Sequence, residues 1–235
     1  ADLMTGMYAT VGILAALRHA EKTGEGQQVD MALLDTQVAM LANLGANYLV
    51  NGKVPGRVGN AHQNIVPYQV FEVAAHADGS KDHLILAVGN DSQYAKFCAV
   101  AGVPELASNP LFTKNRDRVL NRALLVPMLE ALMKTRNKTD WLAALEAAKV
   151  PCGAINHLGE VFTDPQIEAR KMVTRWQHPL NDGLRLVASP LKLSATPVRT
   201  DLPPPLLGQH TEEVLRSVLN YSEAQVALLK ANEVI

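Results

Sequence analysis

The chain has 235 residues, of which 48% are hydrophobic and 19% are charged, and its formal net charge is −1. This length allows one large domain or two modest ones with a real core, and the near-zero charge argues against nucleic acid or an anionic membrane as a partner. Two cysteines, Cys98 and Cys152, exclude a disulfide framework and favour a reducing, cytoplasmic compartment.

The first predicted element is a helix from about Asp2 to about Thr23, because Gly24 is a stop signal. Its apolar residues occupy almost every face, which is typical of a helix buried against a sheet. The uncharged run 3–17 is shorter than the roughly 18 residues that a membrane span needs, so we predict a core helix. One apolar stripe at helical spacing consists of Leu3, Met7, Val11, Leu14 and Leu17.

A short strand is predicted in "QQVDMALL", followed by a helix that Asp35 or Thr36 caps and that runs to about Val50. Helices and a strand in this order indicate part of an α/β layer over residues 1–52. Residues 53–67 are rich in glycine and proline, with little apolar periodicity. They are predicted to form a linker or a functional loop.

Residues 68–165 are predicted to form a small α+β domain. Two apolar segments flank Asp78-Gly79, which indicates a β-hairpin. Asp91 is predicted to cap the next helix, and a helix over 115–133 is expected to break or kink at Pro127. A helix over 139–148, a short strand in "VPCGAI" and helical pieces interrupted at Pro165 complete this domain.

Residues 166–235 are predicted to contain a second hairpin, turning at Asn181-Asp182-Gly183, and two helices. Thr211 is the predicted N-cap of the first helix. Ser222 and Gln225 have the spacing of a capping box for the second.

The known motifs for phosphate, dinucleotide and zinc binding are absent, and the scattered histidines predict no metal site. Two residues remain as candidates for chemistry. Asp2, by position alone, is most often a helix N-cap, but an ionised aspartate can also attack an acyl thioester without a base. His62, in the loop, is either a polar surface residue or a reactive one.

The order of motifs resembles the family III CoA-transferases, the CaiB/BaiF family, from their catalytic aspartate onward. The N-terminal features that carry this resemblance are Asp2, Gly6, Thr23-Gly24, Gly26-Gln27, Val29-Asp30 and Asp35. Later landmarks are "VPCGAIN", "TDPQIEAR" and "PLLGQHTEEVL". The resemblance runs in order over essentially the whole chain.

The resemblance implies that Asp2 is the nucleophile, which forms an aspartyl anhydride and then an aspartyl-CoA thioester. It also implies a substrate-binding loop at Gly59, Asn60 and His62, in which the side chains of Asn60 and His62 replace a flexible poly-glycine pattern. That departure favours dicarboxylate substrates over formate or oxalate. Acyl-CoA and a carboxylic acid are the expected partners, with CoA as a substrate and no cofactor.

The implied fold class is α/β: a partial Rossmann-like large domain, a smaller α+β domain inserted into it, and a C-terminal segment that returns to the large domain. The family's homodimers are interlinked. Its N-terminal half supplies most CoA contacts, so the 235-residue chain on its own is expected to bind CoA poorly and to turn over slowly.

Two alternatives remain open. The same family contains α-methylacyl-CoA racemases, in which the aspartate works as an acid/base partner of a histidine that precedes it. The second alternative is that the chain is a truncated, non-catalytic subunit with a role in assembly.

Overall fold

The computed structural model describes residues 1–235, which divide by their contacts into two units, 1–155 and 156–235. The first unit contains α1 (Asp2–Thr23), α2 (Leu33–Ala39), α3 (Ala42–Asn51), β1 (Tyr68–Glu72), β2 (His83–Ala87), α4 (Asp91–Ala101), α5 (Glu105–Ser108), α6 (Asn115–Leu120), α7 (Arg122–Met133), α8 (Lys138–Ala147) and β3 (Cys152–Ala154). The second contains α9 (Leu158–Thr163), α10 (Pro165–Ala169), β4 (Val173–His178), β5 (Asn181–Val187), α11 (Thr211–Ser217) and α12 (Glu223–Ala231). The fold is therefore mixed α and β. The Rossmann-like layer, the inserted domain and the boundaries of the four predicted segments stay predictions.

The sheet of the first unit is antiparallel, in the order β1-β2-β3. Its hairpin confirms the predicted turn, with Gly79 in the left-handed region at φ 82°. Along β2 the side chains alternate between faces, so Leu84 and Leu86 are fully buried while the other three residues of the strand are half-buried. One face of this sheet therefore forms one side of the hydrophobic core.

Helices α4, α7 and α8 complete that core. In α7 the buried residues Leu125, Leu129 and Met133 are spaced four apart and form one stripe. Trp141 of α8 is fully buried, and its indole Nε1–H donates to the Met133 carbonyl at 2.8 Å. The buried indole is thus satisfied, as a tightly packed core requires.

Two predictions about helix ends in this unit are wrong. Asn90, not Asp91, is the N-cap of α4, because its side chain accepts the Gln93 amide and leaves Asp91 in the first turn. The helix predicted over 115–133 breaks at Asn121, and Pro127 lies inside α7. A proline in the second turn removes one backbone hydrogen bond, and the buried stripe on both sides of it holds the helix together.

The N-terminal segment forms α1 as predicted, ending at Gly24, but none of its residues is buried. The prediction that this helix is buried in a core is thus wrong for this chain, because no sheet of the first unit covers α1. The strand predicted in "QQVDMALL" is absent for the same reason, since a strand needs a neighbour to pair with. The following helix is divided into α2 and α3 and has no side-chain cap.

No helix of the protein combines the length and the apolar character that crossing a membrane requires.

In the second unit, the break at Pro165 is confirmed, since α9 ends before it and α10 begins with it. The hairpin of β4 and β5 also forms, but its turn lies at Pro179-Leu180, and Asn181-Asp182-Gly183 belongs to β5. Gly183, at φ 89°, is the extra residue of a bulge opposite Trp176 and Gln177, a position that favours glycine.

The capping box of Ser222 and Gln225 at α12 is confirmed. Thr211, in contrast, is not the N-cap of α11. His210 holds that position without a side-chain cap bond, and its Nδ1 lies 3.0 Å from Glu213 Oε2 instead.

Candidate functional site

Asp2 lies in the first turn of the 22-residue helix α1, with Ala1 at the N-cap. It is therefore not the cap itself. Its carboxylate is exposed and makes no hydrogen bond or ion pair within the protein. The first backbone hydrogen bond of the helix runs from Thr5 N–H to the Ala1 carbonyl, so the amides of Asp2, Leu3 and Met4 have no partner in the helix. The positive end of the helix favours an anion at this place.

A small cleft lies between α1 and α2, lined by Tyr8, Met31, Asp35, Thr36 and Ala39. Thr36 is its buried polar residue, and its hydroxyl donates back to the Ala32 carbonyl. The cleft has a volume of about 190 Å³, below the roughly 300 Å³ that is usual for a small-molecule site. It cannot hold an acyl-CoA molecule by itself.

The loop 52–67 has no helix or strand, as predicted, but its second half is held by defined contacts. Gly59 adopts φ 61°, and no atom lies within 4 Å of the place where a Cβ would be, so backbone conformation alone favours glycine here. The exposed Asn60 accepts the Val70 amide of β1 through its Oδ1 at 3.0 Å. The loop is thereby tied to the edge strand of the sheet.

His62 is half-buried and fixed from several sides. Its backbone N–H donates to the Tyr68 carbonyl at 2.8 Å, and its ring stacks on Tyr68 with centroids 5.4 Å apart. Its Nδ1 accepts the Asn64 amide at 3.0 Å. The imidazole therefore has one defined orientation.

Two arginines that sequence reasoning missed hold this loop from the helices below it. Arg122, at the start of α7, donates from one nitrogen to the carbonyls of His62 and Gln63 at 2.6 and 2.8 Å. Arg118 is fully buried and donates from Nε to the Val66 carbonyl at 2.6 Å. Neither arginine belongs to a local motif, because each contact with the loop is made to a residue more than 50 positions away. The only sequence signal is the density of arginines in "NRDRVLNR", which does not distinguish Arg118 and Arg122 from the exposed Arg116.

Asparagines complete the anchoring. Asn115 of α6 accepts the Val66 amide and donates to the Asn64 carbonyl at 2.8 Å. Asn47 of α3 donates its amide to Gln63 Oε1 at 3.3 Å and exchanges weaker contacts with Asn64. The segment 60–67 is thus a fixed loop, not a free linker.

The structure brings Asn60 and His62 together on this loop, beside β1 and α7. Asp2 belongs to the same unit, and no hydrogen bond or ion pair joins it to the loop. The predicted site residues therefore form two groups: the start of α1, and the anchored loop.

The two cysteines are poor nucleophiles. Burial raises the pKa of the Cys98 thiol to about 11, and Tyr94 lies beside it. Burial, with a contribution from Glu146, also raises the pKa of Cys152, which is half-buried. Since the thiolate is the reactive form, neither is suited to nucleophilic chemistry at neutral pH.

The second unit has a larger cleft, about 590 Å³, between the hairpin and residues 188–200. Its lining is mostly apolar, and none of the residues predicted to act lies in it. We therefore do not assign the chemistry to this cleft. No group of three or more His, Cys, Asp or Glu side chains is close enough together to hold a metal ion.

Comparison with known proteins identifies one family. The sequence profile of CoA-transferase family III matches residues 1–211. The crystal structure of a CaiB/BaiF family protein from Brucella suis is similar with a TM-score of 0.72 and 39% identity, over 92% of this chain and 54% of that one.

Two curated relatives share the similarity. Succinate–glutarate CoA-transferase of Agrobacterium fabrum is 43% identical over 217 residues, covering 92% of this chain and 52% of the relative. Human succinyl-CoA:glutarate CoA-transferase is 36% identical over 234 residues, covering 100% of this chain and 52% of the relative. The chain thus spans about half the length of these relatives.

Proposed function

Because the chain belongs to CoA-transferase family III, we propose that the protein moves CoA from a donor acyl-CoA to a dicarboxylic acid, with Asp2 as the nucleophile. The observation that carries the proposal is the identity of 43% and 36% with two relatives named for succinate and glutarate. Asp2 carries the reactive role through the family resemblance of the segment that it opens.

The local chemistry of Asp2 supports this role. A free carboxylate at the start of a helix is accessible to a thioester. The unpaired amides of the first turn are donors for an anion that develops there. No neighbouring base is needed, since the attacking group already carries its charge.

The proposed reaction proceeds by exchange of activated carbonyls. A carboxylate oxygen of Asp2 attacks the thioester carbon of the donor, the C–S bond breaks, and CoA leaves as a thiolate. The thiolate then attacks the Asp2 carbonyl of the mixed anhydride, so the donor acid leaves and an aspartyl-CoA thioester remains. The acceptor carboxylate attacks this thioester and CoA leaves again. Return of CoA to the acceptor's carbonyl releases the new thioester and Asp2.

The remaining expectations form part of the same proposal. Gly59, Asn60 and His62 contribute to the binding of the acid, which we infer to be a dicarboxylate of the succinate or glutarate type. CoA is a substrate and no cofactor takes part. The enzyme works as an interlinked homodimer in the cytoplasm, with a Rossmann-like large domain around α1.

The test is to trap the covalent intermediate in the full-length gene product. The protein is incubated with succinyl-CoA or glutaryl-CoA, treated with hydroxylamine or borohydride, and analysed by intact mass and peptide mapping. We expect an adduct on the peptide that contains Asp2, and none in Asp2→Asn, because the amide cannot form the anhydride.

Glu21→Gln is the matched control, since Glu21 is an exposed acid at the far end of the same helix. It should form the adduct like the wild type. An adduct on another residue would show that Asp2 is not the nucleophile. Absence of any adduct, with solvent deuterium entering the α-carbon of a branched acyl-CoA, would establish racemase chemistry instead.

A further inference from the structure

The ring of His62 has a defined tautomer. Its Nδ1 accepts the backbone N–H of Asn64 at 3.0 Å, so Nδ1 carries no proton in the neutral ring. The proton then resides on Nε2, which makes no hydrogen bond or ion pair within the protein. The ring of His62 thus presents one N–H donor, at Nε2.

This tautomer excludes one role and favours another. A general base would need an unprotonated Nε2, and that form would place the ring proton on Nδ1, facing the Asn64 N–H. A neutral N–H donor instead suits an oxygen that carries negative charge, such as a carboxylate oxygen of the acid substrate.

The orientation of this donor depends on Arg122. The guanidinium donates to the consecutive carbonyls of His62 and Gln63 at 2.6 and 2.8 Å, and it extends from the first turn of α7, whose buried stripe fixes it to the core. Bridging two adjacent carbonyls limits rotation of the peptide between them. Both bonds come from the same nitrogen, whose two N–H groups are fixed in the plane of the guanidinium, whereas the ammonium group of lysine rotates freely.

We propose that His62 is a hydrogen-bond donor, through Nε2–H, to the carboxylate of the acid substrate, and that Arg122 is the residue that positions it. The inference rests on the proposed CoA-transferase function. It adds the atom that contacts the acid and the residue through which that atom is held.

The first test compares three substitutions of His62 in the full-length gene product. Glutamine reaches the position of Nε2 with an amide N–H, whereas asparagine reaches only that of Nδ1. His62→Asn and His62→Ala should raise the KM for the acid by roughly 10- to 100-fold, the loss of one hydrogen bond to a charged group. His62→Gln should raise it by only a few-fold. The KM for the acyl-CoA donor should not change.

The pH profile separates a donor from a base. His62→Gln should follow the wild-type profile of kcat/KM between about pH 5.5 and 8, because a hydrogen-bond donor at Nε2 takes up no proton in the reaction. Loss of a titration in this range in His62→Gln would identify His62 as a base and overturn the inference.

The second test is a double-mutant cycle. Arg122→Gln should raise the KM for the acid, Arg122→Lys should raise it less, and Arg122→Gln combined with His62→Ala should be no worse than His62→Ala alone, because both act through one donor. Arg116→Gln is the matched control, since Arg116 is exposed on the neighbouring helix and makes no contact with the loop. It should behave as wild type.

If the KM for the acid rises in the double variant by the product of the two single effects, Arg122 does not act through His62. If Arg122→Gln fails to fold, the same cycle is run with Arg122→Lys. A wild type that moves no CoA contradicts the proposed function. A wild type that moves CoA and is unaffected in KM by His62→Ala contradicts the inference alone.

Discussion

Arg118 shows how a single buried charge organises the neighbourhood of the loop. Its side chain has no exposed area, yet its donors reach the carbonyls of Val66, Phe112 and Thr113 and the carboxylate of Asp91, and its guanidinium lies 4.3 Å from the centre of the Tyr94 ring. A charge so far from water is tolerated only when its hydrogen bonds are satisfied. The loop carbonyl of Val66 is one of those partners, so the loop and the core depend on each other.

Replacing Asp91 with alanine should destabilise the first unit. The Asp91 Oδ1 accepts from Arg118 at 3.0 Å and from the Asn115 amide at 2.9 Å, and its loss leaves a buried donor unpaired. We expect the free energy of unfolding to fall by about 1–3 kcal/mol, measured by urea denaturation at pH 7. Lys114→Ala removes an exposed partner of the same carboxylate, 3.6 Å away, and should cost less than about 1 kcal/mol. Equal losses in both variants would contradict the role given to Arg118.

The contact between Asp91 and Arg118 also predicts how the free energy of unfolding depends on pH. Partial burial acts to raise the pKa of Asp91, but the hydrogen bonds from Arg118 and the Asn115 amide, with the attraction of Arg118 and Lys114, outweigh it, so the pKa is below its usual value. Ionised Asp91 therefore stabilises the fold above its unfolded-state pKa of about 3.9, and this contribution is lost as the pH falls through the folded-state value. The difference in unfolding free energy between wild type and Asp91→Ala should stay constant from about pH 7 to 5 and shrink below about pH 4. A difference in unfolding free energy that grows as the pH falls would contradict this prediction.

At the level of residues, sequence reasoning succeeded where the chemistry is local. The capping box of Ser222 and Gln225 joins residues three apart, so its spacing is visible in the sequence. It failed where a partner is distant. Arg118 and Arg122 contact residues 52 and 60 positions away, and their sequence neighbourhood does not distinguish them from exposed arginines. For Asp2 the family resemblance, not its position at a helix start, carried the assignment.

Helix α7 connects the anchored loop to the core. Arg122 begins it, and the stripe of Leu125, Leu129 and Met133 fixes it against the sheet and α8. The helix continues through Pro127 because the packing of this stripe outweighs the lost backbone hydrogen bond. Sequence rules for proline describe a helix by itself and predict a break or a kink here, and tertiary packing prevents the break.

Two of the four leucines of α7 allow a matched comparison. Leu129 is fully buried, whereas Leu124, one turn earlier on the other face, is 52% exposed. Leu129→Ala should lower the free energy of unfolding by about 2–5 kcal/mol through lost burial and a cavity. Leu124→Ala should change it by less than about 1 kcal/mol. Urea denaturation followed by tryptophan fluorescence measures both, and similar losses would show that the helix is oriented differently.

The hairpins show the same limit of local rules. Asp78-Gly79 forms the turn that its sequence predicts, and Gly79 has the expected positive φ. Asn181-Asp182-Gly183 has an equally strong turn signal, but the chain turns two residues earlier, and Gly183 occupies a bulge that restores the pairing of β4 and β5. A turn motif identifies a residue that can adopt a positive φ. The register of the strands decides whether that residue lies in the turn or in a bulge.

At the scale of the whole molecule, apolar surface is distributed unevenly. The core cluster of the first unit lies within residues 66–150, whereas α1, α2 and α3 together bury only Thr36. The apolar stripe of α1 formed as its periodicity predicts, but its burial could not be inferred, because burial depends on which surface packs against the helix. A stripe of large exposed hydrophobic side chains on one helix is typical of an interface.

This surface predicts how the 235-residue polypeptide behaves in solution. Leu14, in the middle of the stripe, is 60% exposed, so the chain on its own should bind the dye ANS and self-associate with rising concentration in sedimentation experiments. Leu14→Lys should reduce both effects while changing the free energy of unfolding by no more than about 0.5 kcal/mol. Thr10→Lys adds the same charge to the same helix without removing apolar surface, and it should reduce them less.

The same substitution gives a different result if a partner surface covers α1. A lysine in a covered apolar interface loses its hydration, and deletion of the leucine leaves a cavity, so Leu14→Lys in the full-length gene product should cost about 2–5 kcal/mol. Asp2 lies three turns from Leu14 on this helix, so a covered stripe would also hold the start of α1 in place. Small losses in both proteins would mean that α1 is as exposed in the full-length product as in the chain, and that the position of Asp2 is not fixed by packing of its helix.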